Sequence, residues 1–599
     1  MAFNLDLVTA DTLKSLNFDQ LLAGVAERDC LAYGSALSQL ARDETQWSSE
    51  RLECIRFVGA LLMMGLRADD VNQPYGPMFE YGGGRSCIPD DFPKDFVSSL
   101  MDWVDGLIDP ELRARLLDLV WLCTRSRPAL EAAVASYMAS ALRLEDSVHW
   151  PPCFERMQRA LRLSASLGKG GIELKTQVLN ELESMLKRHK GTDPLFLSFR
   201  LIKLLLEFKH GDAQEYASYA STAAEAASNR KEFWQSKDYF ELLADCCRRK
   251  GDTNGEAEAR RRAAECLVLE SEKAKHDGRG PAAATSILSD AVEAMRQVPG
   301  GKVRAAELHD RLLDLQRVAV TQLKRISTDS FDISELVKSA TSAVRNKAFN
   351  EAVLTFCQLH KPAAIDKLKR AVHDQGRIAV FGSLFSSEVM DSRGRVVARA
   401  PGLKPEADDL KDDGLRWRMF RHARMMRGLA VQAFLNPARQ EIVCYGQPDR
   451  HDILTLIQYS PCIPPGHHES VVRGLMAGFQ GDMLVAAHII PSQMEALIRH
   501  VVEMSGGTTS MLEPGGVQPE RPLSALLETA EAKAAFGEDQ VFELQDLLVD
   551  PLGTNFRNEV AHGILDDEGF LGTEVLYAWW LMLKFCVLTS KMVERRQDK

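Results

Sequence analysis

The stretch VLYAWWLMLKFCVL, residues 575–588, decides what kind of fold this chain can adopt, because it is the longest apolar run in it. A helix that crosses a bilayer needs about 20 predominantly apolar residues. This run is shorter and carries Lys584 in its interior. It therefore predicts a buried helix of a soluble helical bundle, with no membrane insertion.

Working outward, residues 471–599 read as a compact helical domain. GDMLVAAHIIPSQMEALIRHVVEMS predicts a long first helix, with Pro491 as a kink or a new start. A Gly- and Pro-rich loop follows, SGGTTSMLEPGGVQPERP. Helices near 523–534 and 539–549, a short polar helix at 555–562 and the apolar helix at 573–593 complete a bundle of four or five.

The rest of the chain is also helical in pattern. At 599 residues it exceeds the size at which one core stops growing, and 45% apolar with 26% charged residues is ordinary for folded proteins. Residues 1–165 predict an irregular all-α domain. Residues 166–345 predict solenoid-like helix pairs, because the breakers KHGD (209–212), RKGD (249–252), HDGRG (276–280) and PGG (299–301) recur at about 25–40-residue spacing. Such a region offers a concave surface for a regulatory protein partner, or is a plain spacer. Residues 346–470 form a connecting α+β region. The glycine clusters YGGGR (81–85) and LGKGG (167–171) follow no strand and predict turns between helices, not phosphate loops.

The twelve cysteines are scattered with no CxxC pair, so neither a disulfide framework nor a zinc knuckle is indicated, and a reducing cytoplasm fits best. Cys462, His467 and His468 lack further ligands at metal spacing. No metal or cofactor is expected. MAFNLDLVTADTLKSLNF has acidic residues where a signal peptide would be basic, so it is expected to stay attached.

Strand-like alternation is nearly confined to RIAVFGSLFSSEVMDSRGRVVARAPGL (377–403), a predicted β-hairpin turning at DSRG. A basic helix follows, DGLRWRMFRHARMMRGLAVQAF. Arg416, Arg421, Arg424 and Arg427 fall within an arc of about 140°, leaving Arg418 apart. They could present guanidinium groups to an RNA backbone. The blander and preferred reading is a solvated face paired with the acidic run at 406–413.

The short polar helix carries the chemistry. In NFRNEVAHGI (555–564), Asn558 and His562 share a face, while Arg557 lies about 7.5 Å along the axis from the His and is long enough to reach the same cavity. Thr554 or Asn555 can cap its start, and Gly563 its end. Upstream, His488, Ser492, Glu495 and Arg499 make one polar stripe on an otherwise apolar helix. Polar groups on a buried helix need partners, so the stripe is expected to face the motif, as structural support more than direct catalysis.

RNEVAH (557–562) resembles the RNxxxH motif of the HEPN superfamily, the all-α domains of many prokaryotic ribonuclease toxins and defence effectors. The likeness extends through the 478–503 helix, LVDPLGTNFRNEVAHGIL and the YAWW helix, about the last 130 residues, and points to a family of unknown function within that superfamily. The resemblance implies a metal-independent endoribonuclease with Arg557, Asn558 and His562 as catalytic residues. RNA supplies its own 2′-OH nucleophile, so cleavage needs a general base, a general acid and a cationic clamp on the phosphorane. His suits both proton-transfer roles near neutrality, Arg the bidentate clamp, and Asn can orient either the His or the phosphate. One motif supplies one His for two roles. Superfamily members that cut RNA generally dimerise so that two motifs line one cleft, and a homodimer through this bundle is implied. Products would carry 2′,3′-cyclic phosphate and 5′-OH ends.

Charge tempers this expectation. Residues 471–599 hold nineteen acidic and ten basic residues, nine of the chain's eleven net negative charges, which argues against a broad RNA-binding face on the bundle; RNA would enter a small positive cleft lined by the motif or be delivered by the basic helix at 416–427. The alternative reading is a non-catalytic HEPN dimerisation or nucleotide-binding scaffold with a protein-binding solenoid.

Overall fold

The computed structural model describes residues 3–81, 84–322, 331–379, 383–391, 393–404 and 407–597. The protein is mainly α-helical and divides into two compact units, Met1–Leu315 and Gln316–Lys599.

In the first unit, long helices follow one another with short connections, and each of Ala213–Asn229, Phe233–Lys250, Thr253–His276 and Gly280–Arg296 packs on the next. All four predicted breakers fall in those connections, where glycines at 211, 251, 278, 280 and 300 take positive φ. The boundary expected at 165/166 is not a break in packing. One apolar core runs from Phe3 to Cys266, because Pro151–Ser166 and Ile172–His189 pack together and carry the core across it.

The N-terminal region is not purely helical. Gly65–Leu66 pairs with Tyr75–Gly76, and Glu80–Tyr81 with Gly84–Arg85, both antiparallel. The YGGGR stretch, expected between helices, thus sits in a small strand pair whose Gly82 and Gly83 lie outside the described residues. LGKGG falls where a turn was expected, as a 3-10 turn over Gly168–Gly171.

In the second unit, the predicted apolar helix runs Thr573–Gln597 and is the spine of the core, with Tyr577, Trp579 and Trp580 fully buried. Their burial carries a polar cost that is met locally. Trp579 Nε1 donates to the Leu475 carbonyl at 3.0 Å and Trp580 Nε1 to that of Phe356 at 3.1 Å. Lys584, which argued against a membrane, extends to the His360 carbonyl at 2.8 Å. Among the described residues no helix is long and apolar enough to cross a membrane. The core also takes Val353, Phe356, Ile442 and Leu456. The connecting region and the bundle therefore share one core, and the expected boundary at 470/471 is no break either.

Met483–Met504 continues unbroken through Pro491. The predicted 523–534 helix is two, Leu523–Leu527 and Ala530–Phe536, followed by Glu538–Leu548. The hairpin pairs Ser387–Met390 with Val396–Ala400; Ser392 of its turn lies outside the described residues.

Candidate functional site

The polar motif lies on a helix of one and a half turns, Phe556–Ala561, between two residues in left-handed conformation, Asn555 (φ 53) and Gly563 (φ 61). Phe556 anchors it in the core. The expected caps need correction at its start, since neither Thr554 nor Asn555 caps through its side chain. Asp546 does the holding instead. Its carbonyl accepts the amides of Thr554 and Asn555 at 2.9 and 3.2 Å, and its Oδ1 accepts the Thr554 amide at 3.1 Å. A Cβ on Gly553 would sit 2.4 Å from that Oδ1, so only glycine lets the chain pass this close.

Arg557 donates from Nε to Glu495 Oε2 at 3.0 Å and from Nη1 to Asn558 Oδ1 at 2.8 Å, with Nη2 also 3.0 Å from Glu495. Asn558 in turn donates to Asn555 Oδ1 at 2.6 Å. Guanidinium carries five N–H groups, so each terminal nitrogen keeps a donor, and the side chain is 37% exposed. Glu495 also receives Arg499 Nη2 at 2.8 Å, and Arg499 reaches Glu520 Oε2 and the Arg521 carbonyl. The polar stripe meets the motif through Glu495, which bonds Arg557; His488, its Nδ1 donating to the Leu484 carbonyl at 2.8 Å, lies tilted against Phe570 with ring centroids 5.1 Å apart. Ser492 is exposed and, among the described residues, bonds only back to Ile489. His562 ends the motif helix with its backbone amide on Asn558, and its ring is exposed with no hydrogen bond or ion pair among the described residues.

The basic helix, Asp413–Ala430, is corrected more severely. Arg427 is 3% exposed and ion-paired with Asp546 Oδ2 at 2.7 Å and Glu543 Oε1 at 3.1 Å, while Nη2 reaches Thr554 Oγ1 at 3.0 Å. It cannot meet a phosphate. Arg416 is held by Asp550 at 2.6 Å, and Arg424 by Glu574 at 3.0 Å. Arg421 is exposed and lies over Trp417 at 5.0 Å. Arg416, Arg424 and Arg427 thus pair with the bundle's carboxylates and not with the acidic run, while Arg421 stays exposed. Asp408 and Asp412 of that run are taken by Lys369 and Lys404.

Burial pushes both Glu543 and Asp546 above the usual carboxylate range, against the pull of their single shared arginine. Burial likewise raises Glu559 of the motif helix, helped by Asp391 of the hairpin turn. Sequence reading missed the support that Asp546 and Glu543 give the motif. Nothing in LQDLLVDPLGTN marks one acid among several as the one that turns inward.

The N-terminal residues 4–176 match a domain of unknown function, DUF7380. That stretch is less than half of the chain and does not include the motif. No curated protein matches. A solved structure titled "Circular tandem repeat protein with novel repeat topology and enhanced subunit contact surfaces" pairs with 99% of this chain and 99% of its own, at 14% identity and a TM-score of 0.12. At that score the pairing carries no argument about the fold.

Proposed function

We propose that the second unit is a metal-independent endoribonuclease of the HEPN kind, cutting RNA by 2′-OH attack, in a toxin or antiphage abortive-infection effector. The observation that supports this best is an exposed His562 ring, without a side-chain partner among the described residues, on the same short helix as a partly free Arg557 already aimed by Glu495 and Asn558. An imidazole in that position exchanges protons with a bound substrate. The spare guanidinium donors can clamp a phosphate that accumulates charge in the transition state. Glu495 and Asn558 are positioning residues: they fix the guanidinium before substrate arrives, which removes ordering cost from the reaction. The defence role comes from the superfamily resemblance alone.

Base and acid require two imidazoles, so a twofold dimer brings two His562 side chains to one scissile phosphate. The exposed apolar side chains Leu484 and Leu571 flank the His488–Phe570 pair and suit such an interface. The helix pairs of the first unit would carry a regulatory protein partner. The scaffold alternative draws on the same Glu495 bond, since a guanidinium engaged by its own carboxylate can be purely structural.

Purified protein in EDTA is expected to cut single-stranded RNA, leaving 2′,3′-cyclic phosphate ends, and His562→Ala to lose roughly 100-fold or more of that rate while keeping its oligomeric mass. Equal rates in both proteins, or loss of assembly in the variant, would reject the assignment.

A further inference from the structure

The first unit contains two cavities that share Arg162, with volumes of about 570 and 250 Å³. The larger is walled by residues 66–69, the start of the Pro151–Ser166 helix and one side of Leu197–Glu207. Its size falls within the range of small-ligand pockets, about 300–1,000 Å³.

Its charge is unbalanced. Of the carboxylates in the wall, Glu207 is held by Arg162 and Glu155 by Arg156 at 3.0 Å, which leaves Asp69. Against it stand Arg67, Arg200 and Lys203, none with a carboxylate at ion-pair distance among the described residues. In a chain of net charge −11, a recess with two uncompensated positive charges is a place where an anion gains attraction. The cations also stand beside aromatic faces. Arg200 lies over Trp150 at 5.8 Å, Lys203 over Phe199 at 5.7 Å, and Phe154 meets Trp150 edge-on at 6.1 Å. The smaller cavity repeats the pattern, with Arg125 over Trp121 at 5.3 Å and no carboxylate at ion-pair distance from Arg125 among the described residues.

Uncompensated guanidinium and ammonium groups suit a phosphate, and a tryptophan face beside them suits a planar ring. We propose that this cavity binds a nucleotide, with its phosphates on Arg67, Arg200 and Lys203 and its base against Trp150. The site is in the first unit and stands independently of the ribonuclease reading. Because the recess is bounded at small-ligand size, the ligand is a free nucleotide and not a nucleic-acid strand.

The test is calorimetric titration of the full chain with ATP and GTP, alongside adenosine, sodium triphosphate and a single-stranded oligoribonucleotide. A saturable one-to-one isotherm is expected for ATP or GTP, with adenosine and triphosphate each weaker by roughly tenfold or more. Arg200→Glu with Lys203→Glu, both exposed positions, should weaken the nucleotide by roughly tenfold or more without moving the ligand-free thermal midpoint. Arg67→Glu, on a separate exposed turn, is the second variant and should do the same. Four results would each overturn the proposal: no saturable nucleotide binding, equal binding in the variants that fold, triphosphate as tight as the nucleotide, or binding of the oligoribonucleotide alone.

Discussion

The first unit buries Glu111 with Arg156, and Asp118 with Arg159, while the second buries Glu543 and Asp546 on Arg427. In the first, each of these two carboxylates has its own arginine and further donors. Cys30 N bonds Glu111, and the hydroxyls of Tyr75 and Tyr137 bond Asp118 at 2.7 and 2.9 Å. Burial works against the Glu111 charge, but Arg156 and these bonds outweigh it and hold the carboxyl down at about 2; Asp118 is lowered in the same way. In the second, two carboxylates divide one guanidinium, and burial wins. The balanced cluster ties helices together. The unbalanced one sits under the entry to the motif helix, where Asp546 also holds Thr554 and Asn555. The difference teaches that the second unit tolerates a costly ionic site where it positions the candidate catalytic residues.

The largest expected effect tests that contrast directly. Arg427→Met leaves two buried carboxylates without a cation and should destabilise the second unit by about 3–5 kcal/mol, read by hydrogen exchange across 538–562. Unchanged protection there would remove the keystone role. Glu111→Gln should cost the first unit about 3 kcal/mol, because the buried Arg156 then keeps only the half-exposed Glu155 as a charged partner, read by thermal melting. A loss well under 1 kcal/mol would mean that the balanced cluster is not structural.

Acid separates the units next. Glu111 releases its proton near 4.5 when unfolded but near 2 when folded, so its contribution is complete above pH 4.5 and is lost as pH falls through 2. Glu543 and Asp546 carry the opposite sign: the folded state holds their protons more tightly than the unfolded one, so their contribution is most favourable in acid and is lost as pH rises through the raised values. His360 acts in the second unit as well. Burial first, then Lys584, lowers it from 6.5 to about 4, so the unfolded chain takes up a proton that the folded one refuses, and stability present above pH 6.5 is lost between 6.5 and 4, by at most about 3 kcal/mol. His360→Phe should flatten that loss in a pH series of thermal melts. An identical slope would dismiss it.

Two smaller effects sharpen the picture. Gly563→Ala places a side chain at φ 61 with nothing nearby to clash, so it should cost only about 1 kcal/mol of backbone strain. Glu543→Gln removes the surplus charge while keeping an oxygen for Arg427, and should leave melting within about 1 kcal/mol of wild type or raise it, in contrast to Glu111→Gln.

Local signals told the truth about local things. Apolar periodicity placed the Thr573–Gln597 spine, breaker glycines placed the helix connections, and alternation placed the hairpin. The spacing of His488, Ser492, Glu495 and Arg499, by four, three and four residues, marked a face that does meet Arg557 through Glu495. What failed was reading charge without partners. Arg427 is 119 residues from Asp546, and nothing periodic links a basic helix to the carboxylates that neutralise it, so a buried structural cation looked like a phosphate ligand. The apolar cores cross the expected boundaries for a related reason. Helices at 334–358 and 436–457 lend their apolar faces to a core whose spine lies more than a hundred residues later.

The measurement closest to the central claim is the rate of RNA cleavage in EDTA by wild type, His562→Ala and Glu495→Gln, with oligomeric mass recorded for each. Cleavage by wild type, its loss in His562→Ala and a partial loss in Glu495→Gln, all at unchanged mass, is the predicted result; wild-type protein that leaves RNA intact, or a His562→Ala variant that cuts as fast, would contradict it.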